Sequence, residues 1–169
     1  DALGNILEKH PTKPEDVESL RVTLPVGGAA TVNNREMPNI NLQHMMAVFL
    51  MDGSISFAAA HDNERFNDPV TMALREKVDL KGDNALVTPE SSRQGIVELQ
   101  TKTGESYRDH VVAVRGTMEN PMTTEEVESK ARDLLKPTLG IDKANRLIMA
   151  VGDLESMGSA QQLRELLSR

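Results

Sequence analysis

The 169-residue chain carries 19 basic and 26 acidic side chains, a formal net charge of -7, no cysteine and only 2% aromatic residues. This length supports one well-buried domain, or one domain with a helical appendage, and an acidic balance without basic clusters or aromatic platforms argues against nucleic-acid binding. The lack of cysteine excludes disulfides, thiolate metal sites and thiol nucleophiles, and no apolar run approaches the roughly 20 residues of a membrane span, so a soluble cytoplasmic protein is expected.

The opening stretch DALGNILEKH spaces Ala2, Leu3, Ile6 and Leu7 at helical intervals with no capping lead-in. It reads as a helix already under way, and the expectation is a piece of a longer polypeptide. Two prolines in HPTKPED break the pattern, and VESLRVTLPV then sets Val17, Leu20, Val22 and Leu24 as the inner face of a half-buried strand. Gly27 and Gly28 are expected to turn the chain. Helical period returns from about Leu42 to Met51, with Leu42, Met45, Met46, Phe49 and Leu50 on one wide apolar face and Asp52-Gly53 ending it.

SISFAAAHDNERF reads as one short helix, and Asp68-Pro69 opens another, to about residue 76, with Asp68 as N-cap and proline at the first helical position. KVDLKGD is a short strand and NALVTPESSRQG a polar loop. Two alternating runs, 96–101 and 106–114, meet through Thr103-Gly104 as a β-hairpin. Thr123 or Thr124, with acids behind it, starts a helix that Pro137 is expected to stop, and the tail reads as two more amphipathic helices divided between Gly152 and Gly158. Strands and helices are not regularly interleaved. The expected class is α+β: a small, mostly antiparallel sheet with packed helices, followed by C-terminal helices. Glycine-rich phosphate loops, a GxSxG elbow and EF-hand spacing are absent from the sequence.

One stretch stands out chemically. NNREMPNINLQHMMAVFLMDG introduces a methionine-rich apolar run with Asn33, Asn34, Arg35, Asn39, Asn41, Gln43 and His44. A helix starting near Asn41 puts His44 in its first turn, where free N–H groups and the helix dipole favour an anion. Arg35 and Asn34 could complete a cradle, since a guanidinium pairs with a carboxylate as a two-pronged fork. An alternative stays open: Asn41 caps the helix, Gln43 and His44 face water, and Arg35 ties the loop to an acid. His10 and His110 read as exposed or edge side chains. His61 and Asp62, being adjacent, point apart, and without HxxxH or HxH spacing no metal site is expected. Met45, Met46 and Met51 read as core filler, and Glu125, Glu126 and Glu128 with Lys130 and Arg132 as a solvated helix face.

Three ordered blocks, VNNREMPNINLQHMMAVFLMDG, HDNERFNDPVTMALREKVDL and GTMENPMTTEEVESKARDLL, resemble the C-terminal part of the MmgE/PrpD family, and the resemblance covers essentially the whole chain. That family includes 2-methylcitrate dehydratases, cis-aconitate decarboxylases and iminodisuccinate epimerases. The resemblance implies a lid-like α+β domain over 1–119, and helices over 120–169 that return to a large helical domain preceding the lid. It also implies a cleft in which a small polycarboxylate loses a proton next to a carboxylate and then loses water, loses carbon dioxide or is reprotonated, with no metal or organic cofactor.

Most of the family's acid/base residues belong to the preceding domain. The position of His44 is a tyrosine in many relatives, so His44 is a departure that could still donate a hydrogen bond or a proton. On this reading His44 is the catalytic candidate. Asn34, Arg35, Asn41 and Gln43 are the substrate-binding candidates, with His61 and Asp62, in a family-like HD, behind them. The fragment alone is expected to be inactive, and a homo-oligomer is expected, with no nucleic-acid or membrane partner. The alternative is a stand-alone, non-catalytic binding or assembly module that associates through apolar helix faces carrying Leu134, Leu135, Leu139, Leu147, Ile148, Leu163, Leu166 and Leu167.

Overall fold

Val17, Leu20, Val22 and Leu24 all reach the interior from one strand, β1 (Val17–Leu24), although the first interval is three residues rather than two. A register shift between Val17 and Ser19 resolves the mismatch, because one extra residue returns the following side chains to the inner face. Three further strands join it: β2 (Val78–Gly82), β3 (Gly95–Thr101) and β4 (Ser106–Val111). The computed structural model describes residues 1–88 and 93–167, so residues 89–92 of the expected polar loop lie outside the described residues. Among the described residues the strands form one sheet in the order β2-β1-β3-β4. The β3–β4 hairpin and the β1–β3 pair are antiparallel, while β1 and β2 run parallel. The architecture is α+β, with a mixed sheet that is antiparallel at two of its three seams.

The chain divides into two compact units, Asp1–Asn120 and Pro121–Arg169. In the first, the helices in chain order are α1 (Ala2–Lys9), α2 (Val26–Val32), α3 (Leu42–Asp52), α4 (Phe57–Ala60), α5 (Asn63–Phe66) and α6 (Pro69–Arg75). The core joins Leu3 and Ile6 of α1 and Leu50 of α3 to Val17, Leu20, Val22, Val78, Val97 and Leu99 of the sheet. Burying those side chains supplies the main favourable term in folding, at about 1.5–3 kcal/mol for each large aliphatic.

Several local expectations are corrected. Gly27 and Gly28 lie inside α2 and do not turn the chain, since Pro25 occupies the N-cap position and Ala29 is buried. Tertiary packing here overrides the poor helix propensity of glycine. The glycine that steric fit requires is Gly82, where an added Cβ would come within 3.0 Å of the Val26 Cα. We expect Gly82→Ala to lower stability by about 1 kcal/mol in chemical denaturation, at the low end of overpacking costs; an unchanged midpoint would show that α2 shifts freely. SISFAAAHDNERF makes two four-residue helices, capped by Ser56 and Asp62, and does not form one. β4 ends at Val111, three residues short of its expected limit.

The second unit contains α7 (Thr124–Leu139), α8 (Ile141–Gly152) and α9 (Gln161–Leu167). Thr123 and Glu126 form a reciprocal capping box at the start of α7, with bonds of 2.7 and 3.3 Å. Pro137 does not stop that helix but lies within its last turn, where a missing N–H forfeits a single bond; Gly140, at φ 75°, ends it. Arg132 Nε donates to Asn145 Oδ1 at 2.9 Å, tying α7 to α8. Leu147, Ile148 and Leu166 are buried, which corrects their expected place on exposed faces, whereas Leu134 and Leu167 are exposed. Among the described residues no helix is long and apolar enough to cross a membrane.

Candidate functional site

Residues 33–44 form a loop stitched to the first turn of α3 by side chains from both sides. Asn41 is the N-cap: its Oδ1 accepts the His44 N–H at 2.8 Å, and its Nδ2 donates to the Arg35 carbonyl at 2.6 Å. Gln43 faces back along the loop, accepting the Asn34 N–H at 3.0 Å and donating to Asn33 Oδ1 at 2.6 Å. These bonds hold Asn34 at φ 44°, a left-handed conformation that asparagine tolerates better than most residues. Asn41 and Gln43 are buried, and their polar atoms are used to shape the loop.

The reason for that burial is the position of α3. Leu42, Met46 and Phe49 recur on one side of the helix and pack against the core of the sheet. His44 and Val48, roughly 100–160° away around the helix at 100° per residue, are buried on the other. The expected apolar face is present, with Leu42, Met46, Phe49 and Leu50 on the core, and the opposite side of the helix is buried as well. His44 does not face water, as the alternative reading expected, and its ring is not presented on the surface.

The His44 ring meets Phe66 of α5 edge-on, with 5.0 Å between centroids. Arg75 of α6 covers the Phe66 ring with its guanidinium 4.1 Å from the centroid, and its Nη1 donates to the Phe66 carbonyl at 3.1 Å. Asp62 sets the start of α5, accepting the Arg65 N–H at 2.9 Å. The Arg65 guanidinium forks onto Asp52 at the end of α3, at 2.5 and 2.8 Å. That hydrogen bond holds Asp52 below the usual carboxylate range.

Both ring nitrogens of His44 are buried without a hydrogen-bond partner among the described residues. Burial first, then the positive charges of Arg75 and Arg65, lower its pKa, against an opposing pull from Asp62. The ring is therefore held neutral near pH 7.

The other candidates are dispersed. His61 ends α4, with Nδ1 donating to the Phe57 carbonyl at 2.8 Å, and its ring lies on Phe57 at 4.1 Å. Asp62 serves as a helix cap. Arg35 is exposed, and among the described residues its guanidinium has no ion-pair partner. Sequence reasoning missed Phe66, Arg65 and Arg75, the groups that surround His44. The available signal was scarcity: Phe66 is one of only three phenylalanines in the chain. A groove of about 540 Å³ lies on the opposite, sheet-facing side of α3, lined by Leu3, Val22, Leu42, Met46, Phe49 and Val111 among others. Among the described residues no group of three or more His, Asp or Glu could hold a metal ion.

The sequence matches the MmgE/PrpD C-terminal domain over residues 1–156, and the chain belongs to that family. A comparison with curated proteins finds no match.

Proposed function

We propose that this chain is the lid portion of a cofactor-independent lyase or isomerase acting on a small polycarboxylic acid, working with a helical domain that supplies the proton-transfer residues. The observation that carries the proposal is the family match over residues 1–156. The geometry supports a definite division of labour within residues 33–44. Arg35 offers an exposed guanidinium for one substrate carboxylate. Asn41 and Gln43 hold its loop in a set conformation through the Arg35 carbonyl and the Asn34 N–H, so less ordering cost remains at binding. His44 acts as a positioning residue through the first turn of α3 and its contact with Phe66.

Proton abstraction next to a carboxylate needs a base within hydrogen-bond reach and a site closed to water. A lid contributes the closing wall, and its own chemistry is the capture of negative charge. Titration of the 169-residue chain with cis-aconitate, followed by amide NMR, should shift resonances of residues 33–44 without conversion of the ligand. Arg35→Ala should weaken that binding about tenfold or more, the loss of one charge-assisted contact. Steady turnover of cis-aconitate or 2-methylcitrate by this chain alone would reject the division of labour. Equal binding by Arg35→Ala would remove Arg35 from the site.

A further inference from the structure

The face of the sheet turned away from α1 and α3 carries a charge pattern that the proposed function does not use. Strand register places Arg21 beside Asp79 of β2 on one side and Glu98 of β3 on the other, and Glu98 beside Arg108 of β4. One row crossing the whole sheet therefore reads Asp79, Arg21, Glu98, Arg108, alternating negative and positive. Neighbours within the row pair at 3.2 Å for Arg21 with Asp79 and 4.0 Å for Arg108 with Glu98. The four side chains nevertheless remain 46% to 57% exposed. Arg21 uses Nε for its contact with Asp79, so its terminal nitrogens keep donors for a group above the sheet.

We propose that this face binds a second copy of the chain, sheet face to sheet face, about a two-fold axis parallel to the strands. Such an axis reverses the row from left to right. Asp79 then faces Arg108 of the second copy, Arg21 faces Glu98 of the second copy, and symmetry repeats both contacts. The neighbouring rows also match, because the register sets Ser19 beside Gln100 and Thr23 beside Ile96, so the same rotation brings Ser19 over Gln100 and Thr23 over Ile96. A two-fold axis along the row would instead set Asp79 on Asp79 and Arg21 on Arg21, and like charges at that separation repel. The pattern thus favours an axis along the strands over an axis along the row.

Four strands spaced about 4.8 Å apart, with some six residues each at about 3.3 Å, offer on the order of 300–400 Å² per copy, well under the roughly 800 Å² of a standard interface. The contact is accordingly weak, governed by charge and sensitive to salt. The shallow depression of about 250 Å³ lined by these residues leaves room for water between the two sheets.

Sedimentation equilibrium of the 169-residue chain over a wide concentration range tests this. Low salt should give a concentration-dependent dimer that weakens about tenfold or more at physiological ionic strength. Arg21→Glu alone and Glu98→Arg alone should each weaken self-association about tenfold or more, since each places like charges face to face. An equimolar mixture of the two variants should recover a heterodimer, because Glu at 21 on one copy then meets Arg at 98 on the other. The double variant R21E/E98R in a single chain keeps every facing pair opposite and should self-associate more tightly than either single variant, although like charges now neighbour each other within each row. Recovery on mixing cannot come from variants that fail to fold. A chain that stays monomeric throughout, a dimer untouched by Arg21→Glu, or a mixture that does not recover overturns the proposal.

Discussion

Replacing His44 by phenylalanine is expected to stabilise the first unit by about 1–2 kcal/mol at neutral pH, a rise of about 2–8 °C in melting temperature for a chain of this size. The imidazole is fully buried and neither ring nitrogen has a hydrogen-bond partner among the described residues. An unsatisfied buried polar group costs about 1–3 kcal/mol, and phenylalanine removes two such atoms while keeping an aromatic edge against Phe66. A modest overpacking term from the larger ring offsets part of the gain.

The same substitution should change how stability depends on pH. Burial and the nearby arginines lower the folded-state pKa of His44 below its ordinary 6.5, so below that pH the unfolded chain binds more protons than the folded one. The contribution is fully present above pH 6.5 and is lost as pH falls through the folded pKa. Denaturation midpoints measured between pH 7 and pH 5 should therefore fall for the original chain and flatten in His44→Phe, leaving only the carboxylate contributions at lower pH. A drop in melting temperature on substitution, with an unchanged pH profile, would mean that the ring is satisfied within the fold. If the gain is seen, the fold retains an imidazole where an apolar ring is more stable, and such a residue is one whose retention stability does not explain.

Asn41→Ala is expected to cost about 2–3 kcal/mol. The side chain caps α3 through the His44 N–H and at the same time anchors the Arg35 carbonyl. Losing an N-cap costs about 0.5–2 kcal/mol, and losing a second bond at a buried position adds about 0.5–1.5 kcal/mol. Asn41→Asp separates the two functions: it keeps the capping oxygen but turns the donor facing the Arg35 carbonyl into an acceptor. Alanine should therefore weaken both the helix start and the loop. Aspartate should spare the cap, and its damage should fall on residues 33–36, read as faster amide exchange there. Equal, small losses for both variants would show that the 33–41 loop is not held by this residue.

Much of the layout was legible from local chemistry. Asp68-Pro69 announced α6, Thr123 with Glu126 announced α7, and alternation through Thr103-Gly104 announced the hairpin, since caps, turns and period depend on neighbours within a few residues. Asn41 was legible as a cap for the same reason. Residue identities alone also carried the family resemblance that the match over residues 1–156 bears out.

What lay beyond the sequence required contacts between distant segments. The parallel seam joins β1 to a β2 strand that begins 54 positions after β1 ends, and no local pattern specifies that pairing. Gly27 and Gly28 look like a turn until α2 packs beside Gly82. His44 looks like the exposed head of a helix until α5 and α6 close over it, with Phe66 and Arg75 arriving from more than 20 positions downstream. The alternating row on the outer sheet face likewise exists only once register sets four strands side by side. Caps and periodicity are read from the chain, because their energies are local. Burial, charge neighbours and faces are decided by packing, because those energies depend on which distant side chains share the same space.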